Sequence, residues 1–289
     1  NRRDFLKTSL VGGAVLSTIA SPTQLFASEV ETKLTILHTN DVHSHVEPFA
    51  DDDKKYPGLG GAEYRATIIE NIRKKSDNVL VFDAGDIFQG TPYFNFFHGD
   101  LEIDLMNKMG YDAATIGNHD FDGGIEMLAK QISRSNFPFV NCNYDFSKTP
   151  VAGKVHPHII LKRKKIKIGI TGCGVELDGL VPDKLYTSTK YLEPIKCVQE
   201  QVDILKYEKK CHLIICLSHL GYKYDNAKVS DIVLAQNTNN IDLIIGGHTH
   251  TFLDAPTKEK NKDGKEVLIN QVGWAGVQIA QLEYFFEKS

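Results

Sequence analysis

The chain has 289 residues, with 33 Lys+Arg against 37 Asp+Glu and a net charge of −4. At 42% hydrophobic and 24% charged it sits near the globular average, which excludes a disordered, collagen-like or coiled-coil chain. The weakly acidic balance argues against a non-specific nucleic-acid binder, which needs surplus Lys and Arg for phosphates, and five scattered cysteines are too few for a disulfide scaffold.

The chain begins with an address. Arg2 and Arg3 open the run Arg-Arg-Asp-Phe-Leu-Lys, an apolar stretch follows over residues 10–20, and Pro22 and Leu25-Phe26-Ala27 close it. This is the order of a secretory signal. The paired arginines resemble a twin-arginine signal, the route of proteins exported already folded. The apolar stretch is too short for a bilayer core, which needs ~20 residues. Cleavage after Ala27 is expected, with 1–27 as signal, 28–289 as one α/β domain, and a periplasmic protein with no stable membrane span.

Beyond the signal, short apolar runs alternate with amphipathic segments. Strands are predicted over 34–37, 79–82, 113–116, 139–141, 166–171, 213–217 and 241–245. Helices fit between them at 62–75, 102–109 (stopped by Gly110), 124–134, 193–208 (Pro194 near its start) and 227–236. The last two strands, 267–272 and 277–286, sit close together with Gly273 and Gly276 between them, as in a hairpin. Residues 51–61 and 258–264 read as polar loops, and the charge runs 162–165 and 258–265 as solvated turns.

The chemistry collects at strand ends. Five strands run into Asn40-Asp41-Val42-His43, Asp83-Ala84-Gly85-Asp86, Gly117-Asn118-His119-Asp120-Phe121-Asp122, Ser218-His219 and Gly246-Gly247-His248-Thr249-His250. Ligands of α/β folds gather at the carboxyl ends of strands. In extended chain, residues two apart face one side, so Asp41 with His43, and His248 with His250, are expected to reach one ion together. Glycines before Asp86, Asn118 and His248 allow tight turns and close backbone approach. Any one of these blocks alone reads as a capped turn; five together point to a metal centre. Carboxylate, amide and imidazole donors without cysteine suit Zn²⁺, Mn²⁺ or Fe.

As a set, Asp41-x-His43, Gly85-Asp86, Gly117-Asn118-His119-Asp120, Ser218-His219 and Gly247-His248-x-His250 resemble the successive blocks of the calcineurin-like metallophosphoesterases. His-Thr-Asn-Asp-Val-His, Asp-Ala-Gly-Asp-Ile-Phe-Gln-Gly and Gly-Asn-His-Asp-Phe-Asp-Gly are similar to the catalytic domain of the 5′-nucleotidase branch. The resemblance covers roughly residues 34–286. It implies a four-layer α/β/β/α sandwich, two mixed β-sheets flanked by helices, with a site for two divalent ions at the strand ends. Carried over residue by residue, Asp41, His43, Asp86 and His250 would hold one ion, and Asp86, Asn118, His219 and His248 the other, with Asp86 bridging. Many relatives carry Gln where this chain has His250. His119 and Asp122 match the catalytic dyad, with Asn118 and His119 facing the substrate.

Phosphate monoesters hydrolyse extremely slowly unaided. Two cations can acidify a water and neutralise phosphoryl oxygens, and positioned positive charge does most of the work on the transition state. His119 is suited to donate a hydrogen bond or a proton, with Asp122 fixing its tautomer. His38, His45, His98, His156, His158 and His212 match no partner block, although His45, two residues past His43, is the one to watch for a role beside the site. Trp274 is expected to pack in the final hairpin.

Full-length nucleotidases of this family carry a second, base-stacking domain, with no counterpart here after Trp274. The expectation is therefore a phosphoester hydrolase, most specifically a 5′-nucleotidase-type phosphomonoesterase, with a base-binding domain on a separate polypeptide. The alternatives are a phosphodiesterase acting on 2′,3′-cyclic nucleotides, a thiosulfate-ester hydrolase, or a non-catalytic metal-binding regulatory subunit.

Overall fold

The computed structural model describes residues 6–11 and 30–287. Two sheets face each other. The first runs, in order, Leu6–Val11, Ile279–Glu287, Val30–Thr39, Val79–Asp83, Ala113–Ala114, Phe139–Val140 and Val155–His156. From Val30–Thr39 onward its neighbours are parallel, and Ile279–Glu287 lies antiparallel beside them. The second sheet runs Thr257–Lys260, Glu266–Asn270, Leu243–Ile245, Leu213–His219, Ile166–Gly174 and His158–Arg163. Its four inner strands are parallel and its two edge strands antiparallel.

Alternation along each strand divides the apolar residues among three cores. Leu34, Ile36, Leu80 and Phe82 of the first sheet meet Ile168, Ile170, Ile215, Leu217 and Leu243 of the second. Leu37, Val79 and Val81 face outward to Ile69, Ile103 and Leu128 on the helices Ala62–Arg73, Asp100–Met109 and Ile125–Arg134. Ile214, Cys216 and Ile244 face outward to Val198, Val202 and Leu234 on Pro194–Asp203 and Asp231–Asn237. Strands buried on both faces read as unbroken apolar runs, the signature of parallel sheets covered by helices. The expected α/β/β/α sandwich is therefore the architecture.

Helix ends follow the expected chemistry. Gly110 takes the left-handed conformation, φ 69°, after Asp100–Met109, and Pro194 opens its helix while the Glu193 carboxylate accepts from Ile195 N and Lys196 N. The helix expected from residue 227 starts only at Asp231, because Ser230 is extended and its hydroxyl caps Val233 N.

Two expectations fail, and one short helix joins those expected. The last two strands form no hairpin: Glu266–Asn270 belongs to the second sheet and Ile279–Glu287 to the first. The segment between them crosses the top of the sandwich, held by Val272 N→Asn40 Oδ1 at 2.9 Å, Asn40 Nδ2→Gly273 O at 2.7 Å and Ala275 N→Asp41 O at 2.7 Å. Within the expected loop 258–264, Thr257–Lys260 pairs antiparallel with Glu266–Asn270 as an edge strand, its alternating charged side chains suiting a solvent-facing edge. The short helix Pro92–Phe97 shows too little periodicity to be read in advance. The signal expected over 1–27 lies outside the described residues except Leu6–Val11, whose backbone pairs with Ile279–Glu287. No described helix is long and apolar enough to cross a membrane.

Candidate metal centre

All seven expected ligands follow the carboxyl ends of strands, and the segments bearing them meet across the top of both sheets. Asp41 and His43 leave Val30–Thr39, Asp86 leaves Val79–Asp83, and Asn118 follows Ala113–Ala114. His219 ends Leu213–His219, and His248 and His250 follow Leu243–Ile245. The first two loops stay in register beyond their strands, with Asp41 N→Gly85 O at 2.9 Å and His43 N→Asp86 O at 3.0 Å.

The local backbone is not the extended chain expected. Asp41, His43, Asp86, His248 and His250 all have positive φ, between 50° and 73°. Left-handed backbone costs an L-residue roughly 1–2 kcal/mol, so the loops store strain of the kind found at functional sites. Close approach explains two glycines. A Cβ on Gly117 would lie 2.2 Å from Asp86 Oδ1, and one on Gly247 would lie 2.8 Å from His219 Nδ1 and 2.9 Å from Ala84 O.

Two groups result. The ligand atoms of Asp41, His43 and His250 lie within 4.8 Å of one another, as do those of Asp86, His219 and His248. His43 Nε2 is 3.0 Å from His250 Nε2, and His250 Nε2 is 3.4 Å from Asp41 Oδ1. Asp86 Oδ2 lies between the groups, 3.1 Å from His219 Nε2 and 3.7 Å from His43 Nε2. His219 Nδ1 faces Ala84 O at 2.7 Å and His43 Nδ1 faces Gln89 O at 3.2 Å. Donation at Nδ1 turns the Nε2 lone pair of each ring into the site.

The donors fit divalent ions. Asn118 Oδ1 is buried with no hydrogen-bond partner among the described residues, an arrangement that costs free energy unless something else satisfies it, and His219 Nε2 is buried facing the Asp86 and Asp41 carboxylates at 3.1 and 3.9 Å. Both neighbours of Asn118 touch Asp86: Gly117 packs against Oδ1, and His119 N donates to it at 2.8 Å. Burial lowers the pKa of His43, and burial with the nearby His219 charge lowers His248 to about 4, leaving both rings neutral as ligands must be. Burial opposes charge on Asp86 and His219 too. The positive His219 nevertheless holds Asp86 below the usual carboxylate range, and Asp86 with Asp41 raises His219 to about 10, so an ion binding at His219 Nε2 would displace a proton held there by the two carboxylates.

Beside these groups, His119 Nδ1 lies 2.7 Å from Asp122 Oδ2. That hydrogen bond raises the His119 pKa against the opposing effect of burial. The His119 and His43 rings are 5.2 Å apart.

Several supporting residues carried no role in the sequence reading. Asp120 is fully buried and accepts from the backbone N–H of Asp86, Ile87, Phe88 and Gly117. Burial and the Asp86 charge push it up to about 7. Asp231 accepts from Ser218 Oγ at 2.5 Å, and Gln271 ties Gly247 O to Thr251 N. Asp120 lies two residues after Asn118, whereas Asp231 and Gln271 stand well away from any ligand in sequence and reach the site only through the fold. Trp274 does not pack in a hairpin; its ring stacks on His250 at 5.6 Å and 6°. His45 stacks on Phe49 at 4.9 Å and meets Trp274 edge-on. His38 is a core histidine whose Nε2 faces Asn270 Nδ2 at 2.9 Å.

The calcineurin-like phosphoesterase family model matches residues 34–252. This chain belongs to that family. It is 33% identical to the 5′-nucleotidase of Bos taurus over 278 residues, 89% of this chain and 47% of that protein. Among solved structures, it matches the 5′-nucleotidase precursor of Thermus thermophilus with a TM-score of 0.78 and 31% identity, over 87% of this chain and 51% of that one. The NAD nucleotidase of Haemophilus influenzae matches with a TM-score of 0.76 and 28% identity, over 89% and 48%. The chain thus spans about half the length of the curated relatives it matches.

Proposed function

We propose that this chain carries the catalytic site of a 5′-nucleotidase-like phosphomonoesterase that releases phosphate from nucleotides. The observation that carries the proposal is the pair of donor groups, Asp41/His43/His250 and Asp86/His219/His248, flanking Asp86 Oδ2 beside the His119–Asp122 pair. In this reading Asp41, His43, Asp86 and His250 hold one divalent ion, and Asp86, Asn118, His219 and His248 hold a second. Zn, Mn and Fe all suit the donors. The chemistry the ions supply when bound is neutralisation of phosphoryl oxygens and acidification of a water.

The chain's own groups do the rest. Asp122 accepts from His119 Nδ1, which fixes the tautomer and favours the protonated ring. His119 Nε2 is then the donor to the phosphoryl group or the leaving oxygen. The backbone N–H of His119 donates to Asp86 Oδ1 and fixes that carboxylate, and the Asn118 amide next to it faces the substrate in this reading. Base recognition belongs to the other half of the relatives' length, in the same chain or on a docking polypeptide. Residues 1–27 are proposed to direct export by the twin-arginine route to the periplasm.

The test is phosphate release from AMP, 2′,3′-cyclic AMP and p-nitrophenyl phosphate, after chelation and after reloading with Mn²⁺ or Zn²⁺. Metal-dependent release from AMP is expected. No release from AMP or p-nitrophenyl phosphate with either metal would sink the proposal, and preference for the cyclic diester would replace the substrate.

A further inference from the structure

The ligand rings are not held alike. His43 and His219 each present Nδ1 to a backbone carbonyl, Gln89 O and Ala84 O. No described residue takes Nδ1 of His250, and its side chain is 40% exposed. What lies against it is the indole of Trp274, parallel within 6°.

Trp274 is itself anchored. Its flanking backbone bonds to the Asn40-Asp41 loop through Asn40 Nδ2→Gly273 O and Ala275 N→Asp41 O. Gly273 N donates to Thr251 O next to His250. His45, Phe49 and Tyr56 meet the indole at steep angles, with centroids 5.2, 5.9 and 6.4 Å away. The indole is therefore wedged between an aromatic cluster and the most exposed ligand.

We propose that Trp274 is a positioning residue for His250 and that it sets occupancy of the Asp41/His43/His250 ion while leaving the Asp86/His219/His248 ion unaffected. Stacking does for His250 what the carbonyls do for His43 and His219: it fixes the ring plane so that Nε2 stays within reach of Asp41 and His43. Aromatic pairs at this separation are attractive beyond their area burial. Groups that orient metal ligands typically change affinity by 10–100-fold. This inference rests on the two-ion reading above, but metal uptake is measured apart from turnover, so the two can fail separately.

Trp274 is the only tryptophan in the chain and stacks on His250, so its emission reports on the His250 side of the site. Titration of the metal-free full chain with Mn²⁺ is expected to quench that emission with one ion per chain while calorimetry counts two. The quench is expected to disappear in His250→Ala and survive in His248→Ala. Trp274→Leu is expected to weaken one of the two ions by ~10–100-fold, and Trp274→Phe to restore most of that loss. Emission that follows the His248 group, or a Trp274→Leu protein that holds both ions as tightly as wild type or loses both equally, would overturn the proposal. If Trp274→Leu does not fold, the emission titration and Trp274→Phe decide the question: Trp274→Phe must then keep both ions, and among the histidine variants only His250→Ala must lose the quench.

Discussion

The Asp120 carboxylate accepts the backbone N–H of Asp86 at 3.1 Å. The residue after His119 therefore grips the loop that carries the carboxylate between the two donor groups. It also takes Ile87 N at 2.8 Å and Gly117 N at 2.8 Å, tying that loop to the one that presents Asn118.

Asp120→Asn leaves an NH₂ group facing backbone N–H donors. Stranding a buried donor costs about 1–3 kcal/mol. Urea unfolding is expected to show a loss of that order or more, together with weaker metal uptake. Unchanged stability would mean that the loops hold without it.

His119→Ala removes the proposed donor but no metal ligand. A positioned acid or base typically contributes about 10²–10⁴-fold. Turnover of AMP is expected to fall by that factor with both ions retained by metal analysis, and Asp122→Asn to fall less. Full turnover in His119→Ala would remove His119 from the proposed catalytic role.

Gly247→Ala places a methyl against His219 Nδ1 and Ala84 O. Overpacking of this kind typically costs about 1–3 kcal/mol. Loss of one ion, from the Asp86/His219/His248 group, is expected before any loss at the other. A variant with both ions intact would show that the turn can yield.

His38 is fully buried, and burial lowers its pKa from 6.5 to about 3. The unfolded chain therefore binds a proton in that window when the native state does not. The resulting stability is complete above pH 6.5 and is lost as pH falls toward 3, by about 1.4 kcal/mol per pH unit. Unfolding measured between pH 7 and 4.5 is expected to show a shallower acid limb for His38→Gln than for wild type. Parallel limbs would rule this residue out as the source.

Much of the fold was visible in local patterns. Runs such as Val79-Leu80-Val81-Phe82 and Leu213-Ile214-Ile215-Cys216-Leu217 are apolar on both faces, so both register as strands covered on either side. Thr257–Lys260 escaped notice because its outward residues are charged and only pairing with Glu266–Asn270 makes it a strand. The supposed hairpin failed for the converse reason. Closeness in sequence suggested pairing, but Ile279–Glu287 finds its partner in Val30–Thr39, over two hundred residues earlier.

What the sequence alone determined is which side chains stand at strand ends. Asp41, His43, Asp86, Asn118, His219, His248 and His250 each follow an apolar strand, and that placement is local chemistry. Residue spacing alone paired His248 with His250, the family resemblance separated them, and the tertiary structure is what brings His250 to Asp41 and His43, His248 to Asp86 and His219, and Trp274 against His250. The reason is that grouping depends on how two sheets stack and on loops with left-handed backbone. Both arise from hydrogen bonds and packing between segments far apart in the chain, which no window of neighbouring residues contains.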